Sequence, residues 1–336
     1  MKKKSILLPV LLLWLFLGMM VSCRKDQPEV SVSADTQSAA VAIQWFEKLR
    51  ELTKVCPGFS PPVASRAFGY SGVALYESVV GGMPGYRSLE GNLTVLRNVP
   101  KPEPGKLYYW PASANAALSY MAQQLYANMP PGQLDSIKAL ERRLQQDFSA
   151  DADAETMERS AEFGRRVAEH VFDWSVGDGG HEGYKKNFPS SYIPPVAPGA
   201  WKPTAPNSQI ALQPYWGFNR EIIPGIINFS QPVPPKTYST DPNTAFYAQA
   251  LEVYATVNNL TQEERTIAFY WSDDPGDPGT PPGHSISIAT QVLQMEKASL
   301  ALAAETYCKV GIAVSDAFVS CWRCKYHFNL LRPITY

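Results

Sequence analysis

Eleven prolines fall between Pro189 and Pro235, a span of 47 residues. Proline fixes φ and lacks a backbone N–H, so this stretch can form neither a long helix nor the interior of a sheet. The same stretch carries Tyr192, Trp201, Tyr215, Trp216 and Phe218. A flexible linker would not hold so many large apolar rings, because burial is what offsets the entropy of ordering them. The segment therefore reads as an ordered wrap laid over other elements.

Periodicity on either side makes those elements helices. Residues 36–55 are a first candidate. A second follows Pro61-Pro62, where Ala64, Phe68, Leu75 and Val79 recur at helical spacing, and stops at Gly81-Gly82. Pro111 opens a third that runs to Met129, and 135–148 is a fourth. The fifth has a stripe of Met157, Ala161, Gly164, Ala168 and Val171, and ends in Gly177-Asp178-Gly179-Gly180. Beyond the wrap, helices return over 243–257 and 262–271, then from Ser285 through Ala304 and onward. Thr261 followed by Glu263-Glu264 marks a helix start, while Asp273-Asp274 and Pro281-Pro282-Gly283-His284 read as loop. Strand alternation and internal repeats are absent. The expected class is all-α with a long proline-rich crossover.

The N-terminus reads as an address. Lys2, Lys3 and Lys4 precede an apolar run from Ile6 to Val21, too short for a membrane span, which ends in Met20-Val21-Ser22-Cys23. This resembles a bacterial lipobox with Cys23 as the lipidated residue. The expected organisation is a signal peptide over 1–22, a polar tether over 23–40 and one all-α domain over 41–336, exported and lipid-anchored to the bacterial envelope. The net charge of −1 becomes −4 once the first 22 residues are removed. A weakly acidic chain has no broad cationic face for a polyanion, which excludes nucleic acid as a partner. Of the remaining cysteines, Cys56, Cys308, Cys321 and Cys324, the last two form a single Cys-x-x-Cys in a helical pattern. That setting fits two half-buried helical neighbours better than a zinc or redox site.

The most informative motif runs from Lys325 to Pro333. Lys325 and Arg332 are seven residues apart, close to two helical turns, so both face one side of a helix. Pro333 disfavours helical geometry at Arg332 and places the arginine where the helix ends. The preceding stretch, 300–322, is strongly apolar and reads as buried, and cations on a buried helix need a partner. A tetrahedral oxyanion suits a lysine point charge beside an arginine fork. His170 and His181 have no ligand at metal spacing, and the helical phase of His327 points it away from the two cations.

Lys-x6-Arg-Pro resembles the first of three motifs shared by vanadium haloperoxidases and type 2 phosphatidic acid phosphatases. Further segments are similar to the bacterial haloperoxidase branch: Arg66 to Ser78, Gly199-Ala200-Trp201-Lys202-Pro203-Thr204 with Pro214-x-Trp216-Gly217, Ile267 to Asp273 followed by Pro281 to His284, and Ser315-Asp316-Ala317 with Trp322-x-x-Lys325-Tyr326. The resemblance implies paired helix bundles, with Lys325 and Arg332 holding vanadate, or phosphate in an acid phosphatase. It implies hydrogen peroxide and a halide as substrates, or a phosphate ester in the phosphatase reading. The family's second and third motifs, Pro-Ser-Gly-His and Ser-Arg-x6-His, lie downstream of the first, which here stands three residues before Tyr336. Pro282-Gly283-His284 precedes the first motif and lacks the serine, so it is not the second. The resemblance therefore implies a C-terminally truncated member with no complete catalytic set. The second bundle would be partial, with apolar faces between Ser285 and Trp322 open to water and room for a homo-oligomer. A non-catalytic, lipid-anchored surface protein is the reading from a different class.

Overall fold

The computed structural model describes residues 31–204, 210–273 and 279–336. The signal segment and Cys23 lie outside the described residues. Nine helices of more than two turns are present among them. They are α1 (Ala40–Val55), α2 (Pro61–Val79), α3 (Trp110–Leu125), α4 (Gln133–Asp147), α5 (Ala154–Val176), α6 (Ala245–Asn258), α7 (Gln262–Ser272), α8 (Thr280–Met295) and α9 (Leu300–Phe328). No strand is present among the described residues, only two isolated bridges. The fold is all-α, and none of these helices is long and apolar enough to cross a membrane.

The centre of the molecule is α2, buried along almost its whole length. It lies against α9 because both helices present glycine at the crossing. A Cβ on Gly72 would stand 2.5 Å from the Tyr307 carbonyl oxygen, and one on Gly311 would stand 2.6 Å from that of Phe68. Side chains at these points would force the backbones apart. On its other sides α2 packs against α3 and α5, and α3 meets α5 where Gly164 abuts the Ser113 backbone. Helix starts follow local rules. Asp153 accepts from the Thr156 N–H at 2.9 Å, and Thr261 and Glu264 form a complete capping box.

Several boundaries differ from the sequence expectation, and two share one cause. Residues 31–40, expected as the end of a tether, are packed: Ala34 is buried, and Ser31 accepts from the Tyr108 N–H at 2.8 Å. The Ala39 N–H donates to the Ala298 carbonyl at 3.1 Å, and the Leu300 N–H donates to that of Gln37 at 2.7 Å. This pairing uses backbone groups that helices would otherwise use. It delays α1 to Ala40 and splits the expected run from Ser285 into α8 and α9, with Lys297 at φ 49° and Ser299 capping the second. Pro281 and Pro282 lie inside the first turn of α8, where a missing N–H costs nothing, so α8 begins at Thr280 and not at Ser285.

The expected exposure of the stretch from Ser285 to Trp322 holds only on one side. Ile286, Leu293, Tyr307 and Ile312 are buried against α1 and α2, while Ile288, Val292, Met295 and Leu302 face water. The larger open apolar surface belongs to α6 and α7, which bury no residue and expose Tyr254, Phe269 and Trp271.

Candidate functional site

The site is organised by the last turns of α9. Trp322 Nε1 and Tyr326 Oη both donate to the Leu212 carbonyl, at 3.0 and 2.6 Å, which fixes this end of the helix on the proline-rich wrap. Gly217 is needed beside it, because a Cβ there would overlap the Arg323 backbone. The helix then stops at Asn329, in the left-handed region at φ 45°, whose N–H returns to the Lys325 carbonyl at 2.9 Å. The stop comes earlier than Arg332, where the sequence pattern placed it. The reason is a short ladder with the wrap: the Trp201 N–H donates to the Asn329 carbonyl at 2.8 Å, and the Leu331 N–H to that of Gly199 at 2.9 Å. Arg332 therefore sits on extended backbone, as a residue before proline should.

Both cations are exposed, where burial was expected. Lys325 lies at one end of a cleft of about 1180 Å³ that runs along α9 and is lined mainly by apolar groups, among them Tyr76, Leu93, Ile226, Ile312 and Phe328. Its ammonium stands 3.8 Å over the Trp322 ring. Solvent reaches Lys325 through the cleft, yet the surrounding protein displaces enough water to push its pKa below that of an ordinary lysine. The positive charge of Arg332 adds to the shift and Cys321 opposes it. Among the described residues neither cation is paired with a carboxylate.

Asp316 lines the same cleft. It accepts the Ile222 and Ile223 N–H groups at 2.7 and 2.8 Å. Burial nevertheless raises its pKa to about 6, the two amides pulling the other way.

Two further constellations escape a reading by spacing. His284 Nδ1 lies 2.7 Å from Asp273 Oδ1, with both groups largely buried, and the imidazole is stacked on Trp271 and met edge-on by Tyr270. Asp273 thus has the basic companion that its sequence neighbours do not provide; Asp274 lies outside the described residues. Elsewhere, Arg66 Nε meets Asp178 Oδ2 at 2.7 Å, and Arg66 Nη2 donates to the Ser175 carbonyl at 2.7 Å. Gly177 to Gly180 is therefore the lid of a buried ion pair. Of the other histidines, His170 meets the Arg97 carbonyl and His181 packs on Phe172.

The donors at the end of α9 suit an oxyanion such as vanadate, being two charged groups with no carboxylate between them. They supply charge only. Among the described residues no group of three metal-ligating side chains is assembled, and His327, two residues from Lys325 on the helix, packs against Phe328. The fit shown by Lys325 and Arg332 is to the oxygens of the anion.

No family model matches the chain. No curated protein matches it either. Among solved structures it is similar to a bacterial vanadium-dependent iodoperoxidase, with 29% identity over 89% of this chain and 71% of that one, at a TM-score of 0.76. The segments that resemble the family meet in space here: those of residues 199–201 and 214–217 seat the end of α9, and those of residues 267–273 and 281–284 enclose His284. By fold, by identity along most of its length and by these segments in order, the chain is similar to the vanadium haloperoxidases and has their all-α fold.

Proposed function

We propose that this chain provides the first anion-binding segment of a vanadate-dependent haloperoxidase, in which hydrogen peroxide oxidises a halide. The observation that carries the reading is the pair Lys325 and Arg332, set at the end of α9 by the wrap and free of carboxylate partners among the described residues. The likeness to an iodoperoxidase favours peroxidase over phosphatase chemistry. When bound, vanadate would act as a Lewis acid toward peroxide. The chain's own part is electrostatic. The ammonium and guanidinium would hold oxyanion oxygens and offset charge that develops on them.

Lys325 and Arg332 supply charge but no bond to vanadium, so these two residues alone are expected to bind an oxyanion without peroxidase or phosphatase turnover. Titration of vanadate and of inorganic phosphate into wild type, Lys325→Ala and Arg332→Ala, followed by calorimetry, tests the first part. Each substitution should weaken binding by roughly 2–4 kcal/mol where the pair is desolvated by its ligand, and by less where the cleft stays open. Equal binding by all three proteins would place the anion elsewhere. Bromide oxidation by the wild-type chain, abolished in Lys325→Ala, would refute the expectation of no turnover.

A further inference from the structure

Cys321 and Cys324 occupy one face of α9, three residues apart, and both line the cleft beside Lys325. Cys321 is exposed and Cys324 half-buried, its Sγ 3.9 Å from Gln231 Oε1. The other two described cysteines differ. Cys56 and Cys308 are buried, and burial pushes both thiols up, that of Cys56 to about 12. Helix geometry puts the Cα atoms of residues three apart about 5 Å from one another, inside the range that a disulfide spans.

We propose that Cys321 and Cys324 are a peroxide-responsive dithiol that closes reversibly to a disulfide at the Lys325 end of the cleft. Three observations converge on it: helical register, access through the cleft to Cys321, and the Lys325 ammonium one helical turn further along α9 in the same cleft. The Cys321 thiolate attacks one oxygen of a hydroperoxide. An S–O bond forms, the O–O bond breaks, and the departing oxygen leaves as hydroxide, or as alkoxide from an organic hydroperoxide. The Cys324 thiol then displaces the hydroxyl on Cys321, forming the S–S bond and releasing water. Two electrons pass from the sulfur pair to the peroxide.

The Cβ atoms of such a pair start about 5–6 Å apart in a regular helix, more than a disulfide allows, so the last turns of α9 must tighten to close it. A bridge formed against that resistance is readily reduced by a dithiol. The inference does not rest on the haloperoxidase reading, because any hydroperoxide serves as oxidant.

The sequence offers a clean test. Trypsin cuts after Lys309, Arg323 and Lys325, which separates the two cysteines onto peptides 310–323 and 324–325. The full chain, reduced and then treated with equimolar hydrogen peroxide, should yield these peptides joined, lighter than their sum by two hydrogens, and separated again by a dithiol. Cys321 should react roughly ten-fold or more faster than Cys308 in the folded protein. In Cys324→Ser the joined species should vanish, and a 1,3-dicarbonyl reagent should trap sulfenic acid on Cys321. The proposal is overturned if the peptides stay separate, with both thiols intact or Cys321 carried to higher acids. A bridge between two chains, seen on a non-reducing gel, overturns it equally.

Discussion

Replacing Asp316 by asparagine should remove a pH dependence that the wild-type fold carries at the centre of its cleft. Burial holds the carboxyl at about 6, against 3.8 in the ordinary state. Folding raises this pKa, so the native state keeps the proton over that window while the unfolded chain loses it. The contribution of Asp316 to stability is therefore fully present below 3.8 and lost as the pH climbs through about 6. The whole window corresponds to about 3 kcal/mol, of which about 2 kcal/mol falls between pH 4 and pH 7. Asparagine is close in shape to the acid and cannot ionise, but it offers the Ile222 and Ile223 N–H groups one acceptor in place of two, so one of these amides loses its partner. It should therefore be less stable than wild type near pH 4, by about 1–3 kcal/mol for the stranded amide, and gain on it by about 2 kcal/mol between pH 4 and pH 7, with all other titrations cancelling in the difference. Urea midpoints at constant m-value across that range measure the gap. Parallel stability curves would refute the reasoning, and a gap that moves the other way would mean that the two amides outweigh desolvation.

Two further substitutions test packing. Arg66→Met strands the buried Asp178 carboxylate and should cost about 3–5 kcal/mol in denaturant unfolding, with Arg66→Met/Asp178→Leu recovering part of the loss. Gly72→Ala sets a Cβ 2.5 Å from the Tyr307 carbonyl oxygen and 2.9 Å from Cys308 Cα. Neither backbone atom can rotate aside, so the same assay should read a loss of about 1–3 kcal/mol; a neutral effect would mean that α2 and α9 can move apart freely.

What could be read from the sequence was local. Pro61, Pro111 and the Thr261–Glu264 pair announce helix starts because capping and proline chemistry act within one turn. Lys325 and Arg332 stood out for the same reason, being seven residues apart and followed by proline. What could not be read is pairing between distant stretches. The bond from Leu300 to Gln37 moves two helix boundaries, and the ladder of residues 199–201 with 329–331 ends α9 before Arg332. Nothing at Ala39 or Asn329 signals a partner that is hundreds of residues away in one case and more than a hundred in the other. His284 and Asp273 are nearer in sequence, but Pro281 and Pro282 disguise a helix start as a loop, which hides the turn that brings them together.

The glycine-to-glycine crossing of α2 and α9 also governs how the molecule must be put together. Gly72 and Gly311 are 239 residues apart, so uniting their helices closes a loop whose entropy costs about 5 kcal/mol before any contact rewards it. Contacts of such separation slow folding. A polypeptide delivered N-terminus first, from a ribosome or a translocation channel, has α2 ready long before α9 exists. For that interval a helix that ends up buried on nearly every side has lost its principal neighbour. The most central element of the native structure is thus the most vulnerable one during assembly, and crowding among incomplete chains endangers it before any property of the finished fold can protect it.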